Sequence, residues 1–363
     1  MKFCLTKNLI VNLSLSVISI VVFSVVLELG TRMYGKTWST QNFSGVFVDA
    51  VSNTALESTS PTIFDAALGW IPRPGILHLW GQTVVIRADG IRSNGTPVDP
   101  PKNREHSHLI LAVGDSFTFG DQVADPETWP AILERKIYCT VINAGVFGYG
   151  VDQAFLRAKA LLAQYEPDIL IFSLIPDDIY RSELSIRTGV RKPYFDIDTR
   201  GNLMLKNSPV PYSPKKEKTR DLFRKIGGYS FLIHSIMIRL MPNYWIEPGS
   251  SVRAHHKGSE VVCLLMKQLK KFSQERQIKV IVLIQYDILT ISAYLKKAER
   301  LVHGLEQDAI DVLDLKPAFQ EIMNQTPERY ASFFNKQGGH MSFEGNTFIA
   351  EQLELFMRQR SVL

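Results

Sequence analysis

Five short apolar runs, at 109–113, 139–143, 169–175, 278–285 and 310–314, are each followed by a segment of helical periodicity, at 127–137, 152–165, 259–276, 289–306 and 343–358. The runs are apolar throughout rather than alternating, the pattern of parallel strands covered on both faces. In the third helical segment Val261, Val262, Leu265, Leu269 and Phe272 line one face, which is ordinary amphipathic spacing. Alternation of this kind predicts an α/β fold built on a doubly wound parallel sheet of about five strands. Such sheets place their sites beyond the carboxyl ends of the strands, so the residues that follow each run carry the functional information.

The first run stops at Gly114-Asp115-Ser116 and continues through Phe117-Thr118-Phe119-Gly120. A serine at a strand end is a candidate nucleophile that needs a base for its proton and backbone donors for an oxyanion. The second run leads into Asn143-Ala144-Gly145-Val146-Phe147-Gly148-Tyr149-Gly150. The third ends at Pro176-Asp177-Asp178. Before the last helical segment stands Gly338-Gly339-His340-Met341-Ser342-Phe343-Glu344-Gly345-Asn346.

These four segments, in this order, resemble the SGNH (GDSL-type) hydrolases, and the resemblance spans roughly residues 60–363. It implies a flavodoxin-like fold and ester chemistry without a cofactor. Ser116 would be the nucleophile, His340 the base, and Gly148 an oxyanion donor beside the Ser116 N–H. Asp177 occupies the place of the family's oxyanion asparagine. Gln337 stands where the family carries an aspartate three residues before the histidine; its amide oxygen, or a backbone carbonyl, would have to orient His340. An ionised Asp177 can only accept hydrogen bonds, so the expectation is either a protonated carboxyl that donates or a misfit at the donor position. The lesser alternative is a carboxylate turned to orient His340. Asn143, Asp115 and Asp152 are read as residues that hold turns and loops.

Three cysteines without short spacing exclude a disulfide framework or a Cys-rich metal site. Cys139 and Cys263 are expected as buried thiols, with a bridge between them left open. No HExxH-type pattern occurs, and no metal is expected. Of the other histidines, His106 and His108 flank the first run at its wrong end, and His255 and His256 are read as loop residues.

Leu9 to Leu27 carries no charge over 19 residues, enough to span a bilayer. Val25-Val26-Leu27-Glu28-Leu29 lacks the small residues of a cleavage site, and no cysteine closely follows. The reading is an uncleaved anchor that leaves a single-pass inner-membrane protein with its domain in the periplasm. The resulting organisation is an anchor at 1–35, a stalk at 36–60, and a hydrolase-like domain at 61–363 with an insertion at 179–257. Short β segments are expected at 61–107. Within the insertion a hairpin is expected at 194–205, and an apolar helix at 229–240 would pack over the sheet edge or lie on the membrane.

The net charge of +5 is uneven. Residues 181–257 hold 15 Lys plus Arg against 6 Asp plus Glu, a balance of +9, which leaves −4 elsewhere. A basic insertion suggests an anionic partner; no nucleic-acid motif is present. The resemblance extends to polysaccharide O-acetylation proteins and implies an acylated cell-surface glycan as substrate and envelope polysaccharide machinery as partner. The function read from the sequence is a membrane-anchored serine esterase or O-acyltransferase. A catalytically weak glycan-binding or scaffold protein, and a lipase or thioesterase, remain open alternatives.

Overall fold

The computed structural model describes residues 2–34, 60–95, 108–188, 190–212, 222–241, 251–287, 292–335 and 339–363. The stalk, Gln337 and the densest basic run, Lys215-Lys216-Glu217-Lys218, lie outside them. The chain divides into two units, Met1–Val48 with Lys215–Ser250, and Asp49–Pro214 with Ser251–Leu363.

The first unit holds α1 (Lys2–Tyr34), with apolar side chains such as Phe23 and Ile20 pointing outward. It also holds α6 (Leu222–Gly227) and α7 (Phe231–Leu240). The helix at 231–240 therefore belongs with α1, not with the sheet edge. The cause is local: the first N–H groups of a helix lack internal acceptors, and Glu28 of α1 supplies them. Its carboxylate accepts from the Phe231 N–H at 2.8 Å, the Leu232 N–H at 2.9 Å and Ser230 Oγ at 2.6 Å.

In the second unit two antiparallel hairpins, β1 (Thr62–Asp65) with β2 (Gly69–Pro72) and β3 (Gly75–Leu79) with β4 (Gln82–Ile86), lead into the α/β body. The body runs β5 (Leu109–Val113), α2 (Ser116–Phe119), α3 (Trp129–Ile137), β6 (Thr140–Asn143), α4 (Val151–Tyr165), β7 (Ile169–Leu174) and α5 (Pro176–Arg181). The insertion then contributes β8 (Leu184–Arg187), β9 (Val190–Arg191), the hairpin β10 (Tyr194–Ile197) and β11 (Leu203–Lys206), and β12 (Ser251–Arg253). The body resumes with α8 (Gly258–Gln274), β13 (Lys279–Ile284), α9 (Ser292–Gln307), β14 (Asp311–Asp314), α10 (Lys316–Gln325), α11 (Pro327–Ser332) and α12 (Phe343–Gln359).

The main sheet has the order β14-β13-β7-β5-β6, and every pair in it is parallel. In order of appearance the strands stand 2-1-3-4-5, the flavodoxin-like arrangement, whose switch point lies between the first and third strands. Those are β5 and β7, which carry Ser116 and Asp177 at their ends. Helix α12 packs on α3, and α4 and α9 pack on α8. Residues 110–113 of β5 are fully buried, as a strand covered on both faces requires.

Two features were not read from the sequence. Strands β8, β9 and β12 form a small antiparallel sheet that joins the two ends of the insertion. Helix α10 occupies a segment to which the sequence pattern assigns no element. Cys139 and Cys263 are both free thiols, so the bridge left open does not form. His255 lies in the loop after β12, as read, and is buried there, with its Nε2 2.8 Å from the Phe195 carbonyl.

Candidate active site

Asp115 ends the turn after β5 by capping α2: its Oδ1 accepts from the Phe117 N–H at 3.0 Å. Capping by Asp is favoured because it satisfies an otherwise orphaned donor. Ser116 thereby becomes the first residue of a one-turn helix, which ends at Gly120 with φ 92°, a conformation that suits glycine. Gly145 is required for close approach: a Cβ there would stand 2.2 Å from the Phe119 nitrogen. The 144–150 segment is thus pressed against α2, and the Val146 N–H donates to the Gly114 carbonyl at 3.1 Å.

Ser116 Oγ and His340 Nε2 are in hydrogen-bond contact at 2.9 Å, which brings together residues 224 positions apart. The imidazole packs against Phe117 in a tilted arrangement, with 4.9 Å between ring centres and 40° between the planes. Burial, with a further push from the positive charge of Arg181, lowers the His340 pKa from its ordinary 6.5 to about 4. The ring is therefore neutral at physiological pH and able to take a proton. Among the described residues neither the Ser116 N–H nor the Gly148 N–H donates to any acceptor. Gly148 has φ 78°. A backbone N–H without an internal acceptor is the kind of donor that an oxyanion requires.

Asp177 is held as an acceptor. Its Oδ2 receives Arg181 Nε at 2.7 Å. Burial, and then the charge of Asp115, raise the Asp178 pKa well above the usual range. Burial likewise raises Asp115, with Arg181 opposing it. Asp178 serves the backbone: its Oδ2 accepts the Ile175 N–H at 3.0 Å and closes the start of α5.

Arg181 ties these pieces together. It donates to Asp178 Oδ1 at 2.7 Å, Asp115 Oδ2 at 3.1 Å and the Tyr149 carbonyl at 3.3 Å. One buried guanidinium thus spans the segments that carry Ser116, Gly148 and Asp177. Sequence reading missed it, although its spacing from Asp177 and Asp178, four and three residues, is that of ion pairs on a helix.

Other supports were also missed. Arg92 is buried and donates to the Phe119, Gly120 and Val123 carbonyls at 2.6 to 2.8 Å while pairing with Asp125. It stabilises the carbonyl end of α2, where cations are favoured. Arg157 Nε donates to the Ala144 carbonyl at 2.9 Å. Trp70 Nε1 donates to the Phe147 carbonyl at 3.1 Å, and Tyr149 OH to the Trp70 carbonyl at 2.6 Å. Asp152, expected to hold a loop, forms a fully buried ion pair with Lys192. A buried carboxylate, Asp121, has Oδ2 3.7 Å from His340 Nε2. That is too long for a hydrogen bond but close enough to favour an imidazolium. Among the described residues no group of three or more metal-ligating side chains occurs.

No family model matches the sequence. An arylesterase of Vibrio mimicus is 28% identical over 149 residues, which cover 38% of this chain and 70% of that protein. Among solved structures, a G-D-S-L family protein of Desulfitobacterium hafniense aligns at 15% identity over 69% of this chain and 99% of that chain, with a TM-score of 0.42. An acetylxylan esterase of Geobacillus stearothermophilus aligns at 12% identity over 69% of this chain and 94% of that chain, with a TM-score of 0.40.

Proposed function

We propose that this chain, an SGNH (GDSL-type) ester hydrolase, is a membrane-anchored serine enzyme that removes or transfers O-acyl groups of a cell-surface glycan. The observation that carries the reading is the 2.9 Å contact between Ser116 Oγ and a neutral His340 Nε2. Ser116 Oγ attacks the ester carbonyl carbon while its proton passes to Nε2. The carbonyl π electrons move onto oxygen, which the Ser116 and Gly148 N–H groups receive. Collapse expels the sugar alkoxide, which takes the proton from Nε2. Water, or a second sugar hydroxyl, then repeats the sequence on the acyl-enzyme and restores the Ser116 hydroxyl. Asp121 and the positioning residue Arg181 act through the charge and placement of these groups.

The anchor is α1. Its span Ser14–Tyr34 is long and apolar enough to cross a bilayer, and its large apolar side chains face outward. The domain then lies on the periplasmic side.

A fluorophosphonate probe applied to carbonate-washed membranes tests both parts. The expected result is a labelled band at the full 41.1 kDa that disappears in Ser116→Ala. Equal labelling of Ser116→Ala refutes the nucleophile, and a shortened band released by the wash refutes the anchor.

Asp177 makes its own prediction. A carboxylate that accepts from Arg181 adds negative charge where an oxyanion forms. Asp177→Asn keeps an acceptor for Arg181 and adds a donor, and one oxyanion donor is worth about 10²–10³ in kcat. The variant is expected to raise kcat by about tenfold or more and to leave the shape of the pH profile unchanged. A fall in kcat across the whole pH range would instead make Asp177 a support for His340.

A further inference from the structure

A cavity of about 470 Å³ opens between the start of α8 and the first turns of α9. It is lined by Lys257, Lys296, Lys297 and Arg300, with Glu183 and Glu260. The size is within the range of small-ligand pockets, about 300–1,000 Å³. Its floor is fixed. Glu183 is buried, and its carboxylate takes Arg253 at 2.8 Å, Lys297 at 3.3 Å and the Gly258 N–H at 3.0 Å. That acid is therefore neutralised from within by β12, α8 and α9. On the rim, Lys257 Nζ lies 3.3 Å from the Ile197 carbonyl and 3.8 Å from Asp196 Oδ1. Lys296 and Arg300 are exposed, and among the described residues neither has a hydrogen-bond or ion-pair partner.

This arrangement works against its own helix. Lys296 and Arg300 lie one turn apart on α9, where like charges repel. An anion in the cavity relieves this repulsion. In the chain, the floor residue Glu183 follows Arg181 by two positions, just beyond the end of α5. Six residues long, α5 extends about 9 Å at its rise per residue.

We propose that this cavity is an anion subsite that seats a carboxylate or phosphate group of the acylated glycan presented to Ser116. The proposal rests on the ester reading and narrows its substrate to an acidic polymer. The cations that define the cavity come largely from α9 rather than from the 181–257 insertion, so overall charge balance along the sequence does not reveal them.

The test uses the full chain in neutral detergent and the double variant Lys296→Glu/Arg300→Glu, both at exposed positions. The substrates are p-nitrophenyl acetate, acetylated oligogalacturonate and acetylated xylo-oligosaccharide. On the acidic substrate the variant's KM is expected to rise about tenfold or more, the scale of one strong charge-assisted contact, with kcat unchanged. The neutral substrates should be unaffected. Millimolar inorganic phosphate should compete with oligogalacturonate on the wild type and lose that effect on the variant. An unmoved KM for acetylated oligogalacturonate overturns the proposal while Ser116-dependent turnover of p-nitrophenyl acetate leaves the ester reading intact. If that turnover is absent from the wild type, the ester reading fails. Calorimetry of oligogalacturonate on Ser116→Ala then decides the cavity separately: binding abolished by the two substitutions supports it, and unchanged or undetectable binding overturns it. A variant that alters only the response to phosphatidylglycerol in mixed micelles, with KM unmoved, assigns the cavity to a lipid headgroup and also overturns the proposal.

Discussion

His340→Ala is expected to lower kcat for a simple acetyl ester by about 10⁴-fold or more, the scale seen when one member of a serine–histidine unit is removed. KM should change little, because the imidazole meets the serine hydroxyl rather than the bulk of the substrate. The wild-type pH profile carries a sharper signature. A base with a pKa of about 4 instead of 6.5 stays neutral far into acid, so kcat/KM should be flat down to about pH 5 and fall with a midpoint near 4. The linkage sign agrees. Between pH 6.5 and 4 the unfolded chain binds a proton at this histidine that the folded chain does not, so its contribution to stability is complete above 6.5 and is lost as pH falls through that window. An activity limb near 6.5 would mean that imidazolium is stabilised in the site and that Asp121, 3.7 Å from Nε2, outweighs burial and Arg181.

Removing Arg181 should have the next largest effect. Arg181→Met leaves Asp115 and Asp178 buried, at 1% and 3% side-chain exposure, without the cation that answers them. Breaking a buried pair in this way costs about 3–5 kcal/mol. Both carboxyls already have raised pKa values, and loss of Arg181 raises them further. Groups raised in the folded state lose stabilisation as pH increases, so the melting temperature of Arg181→Met should recover at pH 5 relative to pH 8. A purely steric defect would not follow pH in that direction. The variant should also move the His340 limb upward from about 4, since the Arg181 charge helps to hold it down. Arg181→Lys keeps the charge but not the fork that reaches four groups, and should restore stability more than rate. An Arg181→Met chain with an unshifted acid limb would restrict this residue to scaffolding.

The five sheet strands and their helices were legible in the sequence because each buried parallel strand is a short apolar run and each covering helix repeats its apolar residues at helical spacing. Strand β5 begins and ends at the residues the pattern marks, 109 and 113. Helix α10 escaped because it buries little besides Phe319. Strand β12 escaped because its residues are all exposed, so pairing with β8, more than sixty positions earlier, defines it. Helix α7 was visible as a helix but was assigned the wrong neighbour. Its apolar face says that it packs, and the acceptor that captures its first turn, Glu28, is some two hundred residues away in the chain.

The same division runs through the site. Local chemistry marked Ser116 at a strand end, and the resemblance to the SGNH hydrolases marked Gly148, Asp177 and His340, because the blocks that carry it are short-range patterns. The environment of these groups is a tertiary property. Asp177 and Asp178 are adjacent and chemically identical and both pair with Arg181, yet Asp178 is the more deeply buried, and burial and the charge of Asp115 raise its pKa. Burial cost and the distance to the nearest opposite charge set a carboxyl's state, and neither exists until the chain has folded. The sequence by itself determined the sheet, the order of its strands along the chain and the residues at their ends. Only the packing of Arg92, Arg157 and Arg181 against backbone carbonyls and acids from distant segments decided how those residues are held and charged.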